Sequence, residues 1–253
     1  MSTTTPTRLF NGVTTAKVSE ALGLFPLPIP SHVYHYFNDF TTYAAGDWTV
    51  TAGGAGAAVA LGTGLGGQLV ITSATSGAEA ITGGLNINIV NATSTVSGLK
   101  AWFRARVLVD ATVANPDYQI GLSTANATFN GATSGIYFTK ATATAAWSFV
   151  IRTASTSTTV ALPTAGTGVP TASTWYDMAW YFDGKGMFYI YFGNVCIGTY
   201  GSSPNGTTGS LGSSLANLPA STVFMGPTFL NGWHTATSLL TVDHVMAACE
   251  IAR

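Results

Sequence analysis

The sequence predicts an all-β protein: a sandwich of two antiparallel sheets preceded by an extended N-terminal arm. Three observations lead there. From Tyr34 onward apolar and polar residues alternate with a period of two, the alternating runs are separated by turns of Gly, Thr, Ser and Asn, and almost no stretch carries the helical period. The 253 residues accordingly divide into an arm, 1–33, and a sandwich domain, 34–253.

In the arm, Leu24-Phe-Pro-Leu-Pro-Ile-Pro30 alternates proline with large apolar residues. Proline fixes φ and holds its predecessor extended, so this run reads as polyproline-like and cannot bury Phe25, Leu27 and Ile29 against itself. Those three side chains are the expected arm contacts, docking on the domain or on another subunit. Upstream, Val13 to Leu22 reads as a short helix capped by Thr14 or Thr15.

In the domain, Leu99, Ala101, Phe103, Ala105, Val107 and Val109 alternate with Lys100, Trp102, Arg104, Arg106, Leu108 and Asp110. That is a long half-buried strand with three basic residues on one face. Trp175–Phe182 is a strand ending at Asp183-Gly184, the signal of a tight hairpin returning through Met187–Phe192; Gly193-Asn194 then turns the chain into Val195–Tyr200. Further strands are expected at Tyr34–Phe40, Trp48–Thr51, Gln68–Thr72, Tyr118–Ser123, Ile136–Lys140, Trp147–Arg152, Val223–Leu230 and Leu239–Ile251. Thr159–Thr174 and Gly201–Pro219 read as long polar loops, either surface connections or contacts to a neighbouring subunit or ligand.

Composition excludes several function classes. Charged residues make up 8% of the chain and its net charge is −1, against roughly 25% charged in an average soluble domain. No clustered basic face is available for nucleic acid, and 47% hydrophobic content is too high for disorder. The start, Met1 to Arg8, lacks the apolar core of a secretory signal, so cytoplasmic synthesis without a signal peptide is expected. Ala52 to Ile71 is uncharged but glycine-rich, with strand patterns on either side, and reads as no membrane span. Cys196 and Cys249 fall in apolar runs and are expected as buried free thiols, with one disulfide as the alternative.

Candidate chemistry is sparse. A glycosidase needs two carboxylates about 5–9.5 Å apart, yet Glu20, Glu79 and Glu250 are isolated. Asp177 and Asp183, six apart on one strand, would stand about 20 Å from each other. Gly62-Thr-Gly-Leu-Gly-Gly67 matches the dinucleotide-loop spacing, but Gln68-Leu-Val-Ile-Thr72 after it is a strand where that loop needs a helix. His32 and His35 point to opposite faces, and His234 and His244 lack companions, with Asp243 expected to face away from His244. Asp39 and Asp243 are expected near each other, either as a calcium site or, preferred, as acids bonded to backbone or paired with Arg104 or Arg106. Trp147, Trp175, Tyr176, Trp180, Tyr189, Tyr191 and Trp233 are read as core or interface in preference to a sugar-stacking platform. No catalytic residue, cofactor or metal site is assigned.

The order of motifs resembles the concanavalin A-like, or laminin G-like, jelly roll. Tyr36-Phe37-Asn38-Asp39-Phe40 and Trp48 open it, followed by the strand Leu99–Asp110, then Gly135 to Phe138 and Ser173-Thr174-Trp175-Tyr176. Phe188 to Gly193 and a closing strand with Val242-Asp243-His244-Val245 complete it. The resemblance covers Tyr34 to Arg253 and implies neighbouring first and last strands. The Thr/Ala/Gly-rich texture and the Pro-rich arm before Phe37-Asn38-Asp39-Phe40 are similar to decoration (cement) proteins of tailed bacteriophage capsids. That resemblance implies a non-enzymatic virion protein on the outer capsid surface. Its partners would be the major capsid protein and its own copies, as a dimer or trimer. The alternative function is a lectin-like carbohydrate-binding module. No Asp, Glu, Lys or Arg occurs from Gly186 to Thr241, so association through that stretch is expected to be apolar and weakly salt-dependent.

Overall fold

Period-two alternation buries one side of each strand, and in this chain the buried sides of two sheets meet to form a single core. The structure is a computed structural model. It describes residues 8–9, 12–13, 28, 32–51, 54–63, 66–74, 79–83, 98–109, 117–124, 130–141, 146–167, 170–193, 195–203, 205–220, 223–232 and 237–250. Two short strands lie in the arm, β1 (Arg8–Leu9) and β2 (Gly12–Val13), paired with each other. The domain then runs β3 (Val33–Asn38), β4 (Trp48–Thr51), β5 (Ala58–Leu61), β6 (Leu69–Thr72), β7 (Glu79–Gly83), β8 (Ala101–Val109) and β9 (Tyr118–Ser123). It continues through β10 (Gly135–Lys140), β11 (Ser148–Thr153), β12 (Thr156–Ala161), β13 (Trp175–Phe182), β14 (Met187–Phe192), β15 (Val195–Gly201), β16 (Gly226–Asn231) and β17 (Leu239–Glu250).

These strands form a seven-stranded sheet, ordered β12-β11-β10-β9-β16-β7-β4, and an eight-stranded sheet, ordered β15-β14-β13-β8-β17-β6-β5, with β3 paired to β17 beside β6. Every pairing is antiparallel, and the first and last strands of the domain are neighbours as expected, Tyr36 lying opposite Ala247. The only α-helix among the described residues is the single turn Thr164–Thr167, and no helix there is long and apolar enough to cross a membrane.

The core between the sheets is aromatic. Phe103, Trp180, Phe182 and Phe188 of the eight-stranded sheet meet Tyr118, Phe138, Phe149 and Phe229 of the other, all without solvent exposure. Phe138 stands edge-on to Phe192 at 5.3 Å, and Phe149 packs on Phe188 at 5.5 Å. One polar staple crosses this core. Asn231 of β16 donates from Nδ2 to the carbonyls of Ile71 (2.8 Å) and Ser238 (2.9 Å), and Ser238 Oγ donates to Asn231 Oδ1 (2.8 Å). Ser73 Oγ completes it, 3.0 Å from Ser238 Oγ.

Several expectations are corrected here. Val13 belongs to β2 and does not begin a helix, while the rest of the expected helix, and Phe25, Leu27 and Ile29, lie outside the described residues. The loop expected from Thr159 begins as the last part of β12, because Ala154 (φ 46°) and Ser155 (φ 66°) make a two-residue hairpin turn without glycine or asparagine. Cys196 is exposed on β15, the half-covered outermost strand of its sheet; Cys249 is buried, and no disulfide joins the two.

Candidate functional site

The outward side of the seven-stranded sheet is polar and closed. Register places Thr82, Thr228, Gly121, Tyr137 and Val150 in one transverse row, and Leu230, Gln119, Thr139 and Ser148 in the next. Gln119 and Tyr137 are fully buried although they face away from the core. The segment 130–132 explains part of this cover: Tyr137 Oη donates to Asn130 Oδ1 (3.0 Å) and Arg152 Nε donates to the Ala132 carbonyl (2.6 Å). Gly135 makes room for the tyrosine ring, since a Cβ there would stand 2.9 Å from its Cδ1 and Cε1. Burial pushes the Tyr137 hydroxyl up to about 12, opposed by the nearby Arg152. Gln119 Oε1 and Thr139 Oγ1 are buried with no hydrogen-bond partner. Neither of these rows contains an Asp or Glu, the residue types that a two-carboxylate hydrolysis uses.

The outward side of the eight-stranded sheet carries the charges, in cross-strand pairs. Arg104 meets Asp177 at 3.3 Å, Lys100 meets Glu250 at 3.0 Å, and Arg106 meets Asp243 at 3.6 Å. Arg106 also lies over the Trp175 ring, 5.0 Å from its centroid. Asp243 and His244 do not face apart: a register shift between Val242 and His244 brings His244 Nδ1 to 3.2 Å from Asp243 Oδ2. Asp39 instead accepts from Thr41 N and Oγ1, bonds that hold its carboxyl below the ordinary range. The two acids therefore have separate partners, in the manner preferred from sequence over a calcium site. Among the described residues no three His, Cys, Asp or Glu converge.

The same face holds a second apolar cluster of Val33, Trp102, Ala179, Tyr191 and Ala248, flanked by Tyr181, Tyr189 and Met246. Trp102, Tyr181 and Tyr189 stand side by side at 5.4 and 5.7 Å. Val33 is the first residue of β3, so the chain leaves the arm at this cluster. Of the aromatics singled out from sequence, Trp147, Tyr176 and Trp180 are core, Tyr191 belongs to this outer cluster, Trp175 and Tyr189 are partly exposed, and Trp233 lies outside the described residues.

The sheet edges are what sequence reasoning missed. The four terminal strands β4, β5, β12 and β15 read Trp-Thr-Val-Thr, Ala-Val-Ala-Leu, Thr-Ser-Thr-Thr-Val-Ala and Val-Cys-Ile-Gly-Thr-Tyr-Gly, without one charged residue. Val50, Leu61 and Val195 on three of them are exposed, as are Tyr34 and Phe37 on β3. Soluble proteins ordinarily blunt such edges with lysine, other charges or proline. The missing charge was legible, but which strands are edges follows only from the sheet order.

No protein-family model and no curated protein matches the chain. Solved structures do. Peanut lectin aligns over 87% of this chain and 99% of its own, at 7% identity and a TM-score of 0.54. A glycoside hydrolase family 16 endo-glucanase from Bacteroides ovatus aligns over 84% and 99%, at 11% identity and a TM-score of 0.55. Arcelin-5, a lectin-like defense protein from Phaseolus vulgaris, aligns over 87% and 100%, at 7% identity and a TM-score of 0.55. At such identities these likenesses bear on fold alone, and a fold shared by lectins and a hydrolase leaves function to be argued from the site. The chain has the concanavalin A-like jelly-roll sandwich.

Proposed function

We propose that the protein is a non-enzymatic structural module of a virion, decorating or cementing the outside of a capsid through contacts with the major capsid protein and with its own copies. The observation that carries this reading is the flank formed by the edge strands β4 and β5, free of charge and with Val50 and Leu61 in solvent. An unpaired edge of this kind is a template for another protein surface, and burying it desolvates no ion. The capsid as destination rests on the resemblance in texture and arm layout. In this reading Phe25, Leu27 and Ile29 dock beyond the domain, and Val33 in the outer aromatic cluster supports an arm that begins beside an apolar surface. Electron microscopy and mass spectrometry of purified particles made with and without the protein test the proposal. Stoichiometric density on the capsid surface is expected, and absence from purified virions sinks it.

A second reading, a carbohydrate-binding module, is favoured by one observation: the outer aromatic row of Trp102, Tyr181 and Tyr189, partly open to solvent at the two tyrosines, a surface on which a sugar ring can stack. Glycan-array binding abolished by Tyr189→Ala would support it, and an empty array removes it.

A further inference from the structure

The two flanks of the sandwich are finished differently. On one flank, β12 and β15 are crossed by the segment after β15. Leu211 N donates to the Thr199 carbonyl (2.9 Å), Thr199 N donates to Ser210 Oγ (3.0 Å), and Asn217 Nδ2 reaches Thr158 Oγ1 of β12 (2.8 Å). Leu218 is buried in the core there, with Leu211 and Leu215 packed against it. The long polar loop expected from sequence is therefore a plug for two edges. The opposite flank is formed by β4 and β5, and among the described residues no segment bonds to its outer side. Ala58, Ala60 and Leu61 are exposed, and no Asp, Glu, Lys or Arg occurs between Asp47 and Glu79.

We propose that this open flank is the self-association surface of the protein, with β5 pairing antiparallel to β5 of a second copy about a two-fold axis at Ala60. The proposal rests on the structural-module reading and specifies its contact. Backbone direction supports it. Gly62 N donates to the Gln68 carbonyl on the strand leading into β6, so by alternation Ala58 and Ala60 also direct their backbone groups to β6, whereas Val59 and Leu61 direct theirs outward. Side-chain parity supports the register. Val59 and Leu61 face the core side, opposite Ile71 and Leu69, and a two-fold at Ala60 sets Val59 against Leu61 of the partner. The outward groups then bond to each other, and the two inward faces join into one continuous apolar layer.

Self-complementarity selects a second copy as the occupant. In a two-fold strand pair the residue on the axis meets its own copy and its neighbours lie close to theirs, so a charge on this short strand would stand near a like charge and oppose pairing. A stretch free of charge from Trp48 to Ala78 removes that penalty on this whole flank.

The test uses the full chain carrying Cys196→Ser, so that the exposed native thiol does not cross-link. Sedimentation equilibrium should give a reversible dimer, and Ala60→Lys, at an exposed position, should raise its dissociation constant at least about tenfold while leaving the circular dichroism unchanged. In the proposed pair Ala60 faces its own copy at a non-hydrogen-bonded site, where Cα atoms stand about 4.5 Å apart, inside the range a disulfide spans. Mild oxidation of Ala60→Cys should therefore yield a covalent dimer, and Ser157→Cys on the plugged flank should not. A chain monomeric at high micromolar concentration, or dimers indifferent to Ala60→Lys with equal cross-linking at both cysteines, overturns the proposal. Protein that decorates particles but whose dimer is indifferent to Ala60→Lys would overturn this contact alone; absence from particles of unsubstituted protein whose dimer does depend on Ala60 would overturn the capsid reading alone.

Discussion

Asn231 offers the most direct test of what holds the two sheets together. Its side chain makes three buried hydrogen bonds, two donated to carbonyls of β6 and of the residue before β17, and one accepted from Ser238. Ser238 O has a second donor in Ser73 N, so removing the amide need not orphan that carbonyl. The loss is then close to the net worth of three bonds, about 1 kcal/mol each. Asn231→Leu, which keeps the branched outline of four side-chain heavy atoms and leaves no new unpaired donor on residue 231, should cost about 3 kcal/mol from the lost bonds. In a domain of this size that is a fall of about 6–12 °C in Tm. Asn231→Asp should cost more at neutral pH, because its charge would face two carbonyl oxygens in the core. Equilibrium denaturation in urea, with circular dichroism and tryptophan fluorescence followed together, measures both. A loss below about 1 kcal/mol for Asn231→Leu would refute the staple, whereas a large loss shared with Ser238→Ala in a double-mutant cycle would assign it to this network.

Three further outcomes follow from local geometry. Replacing Ala154-Ser155 by Asn-Gly, the pair suited to two successive positive-φ positions, should stabilise the β11–β12 hairpin by about 1 kcal/mol, read as a rise in urea midpoint; no change or a fall would contradict the turn geometry. Tyr137 is raised to about 12 by burial, so its stabilising share is present below the ordinary tyrosine value near 10 and is lost as pH climbs through about 12. Tyr137→Phe should flatten the loss of stability across that alkaline window, and an unchanged slope would remove the assignment. With an aromatic disulfide reagent, Cys196 should react at once in the native protein and Cys249 only on unfolding, so two fast thiols or none would contradict their burial.

The sequence made the strands legible wherever a turn signal and an alternation coincided. Asp183-Gly184 announced the β13–β14 hairpin, and the structure adds why: Asp183 Oδ1 accepts from both Lys185 N (2.7 Å) and Met187 N (2.9 Å). β12 escaped because Ala154 and Ser155 adopt left-handed backbone that their residue types do not advertise. β5 escaped because it is four residues inside a glycine-rich stretch. The meeting of Asp243 with His244 depends on a bulge set by pairing with β8, which no local pattern encodes. β9 and β10 were legible as strands, but that Gln119 and Tyr137 on their outward side would be covered is a tertiary fact. The plug over β12 and β15 was visible only as a long polar loop of undecided role.

Charge placement joins these observations to a last prediction. Three acids and three bases on the outward face of the eight-stranded sheet neutralise one another across β8, β13 and β17, while the four edges carry none. An association through the open flank would thus strip water from backbone groups and from Val50, Val59 and Leu61, not from ions, which is where ionic interfaces lose most of their Coulombic gain. Added salt has little to screen in such a contact. The dissociation constant measured by sedimentation should therefore change by less than about threefold between low and high sodium chloride, whereas a contact made by Arg104, Arg106 and their acids would weaken steeply over the same range. Dissociation by moderate salt would move the interface from the flank to the charged face, and the uncharged edges would then need another explanation.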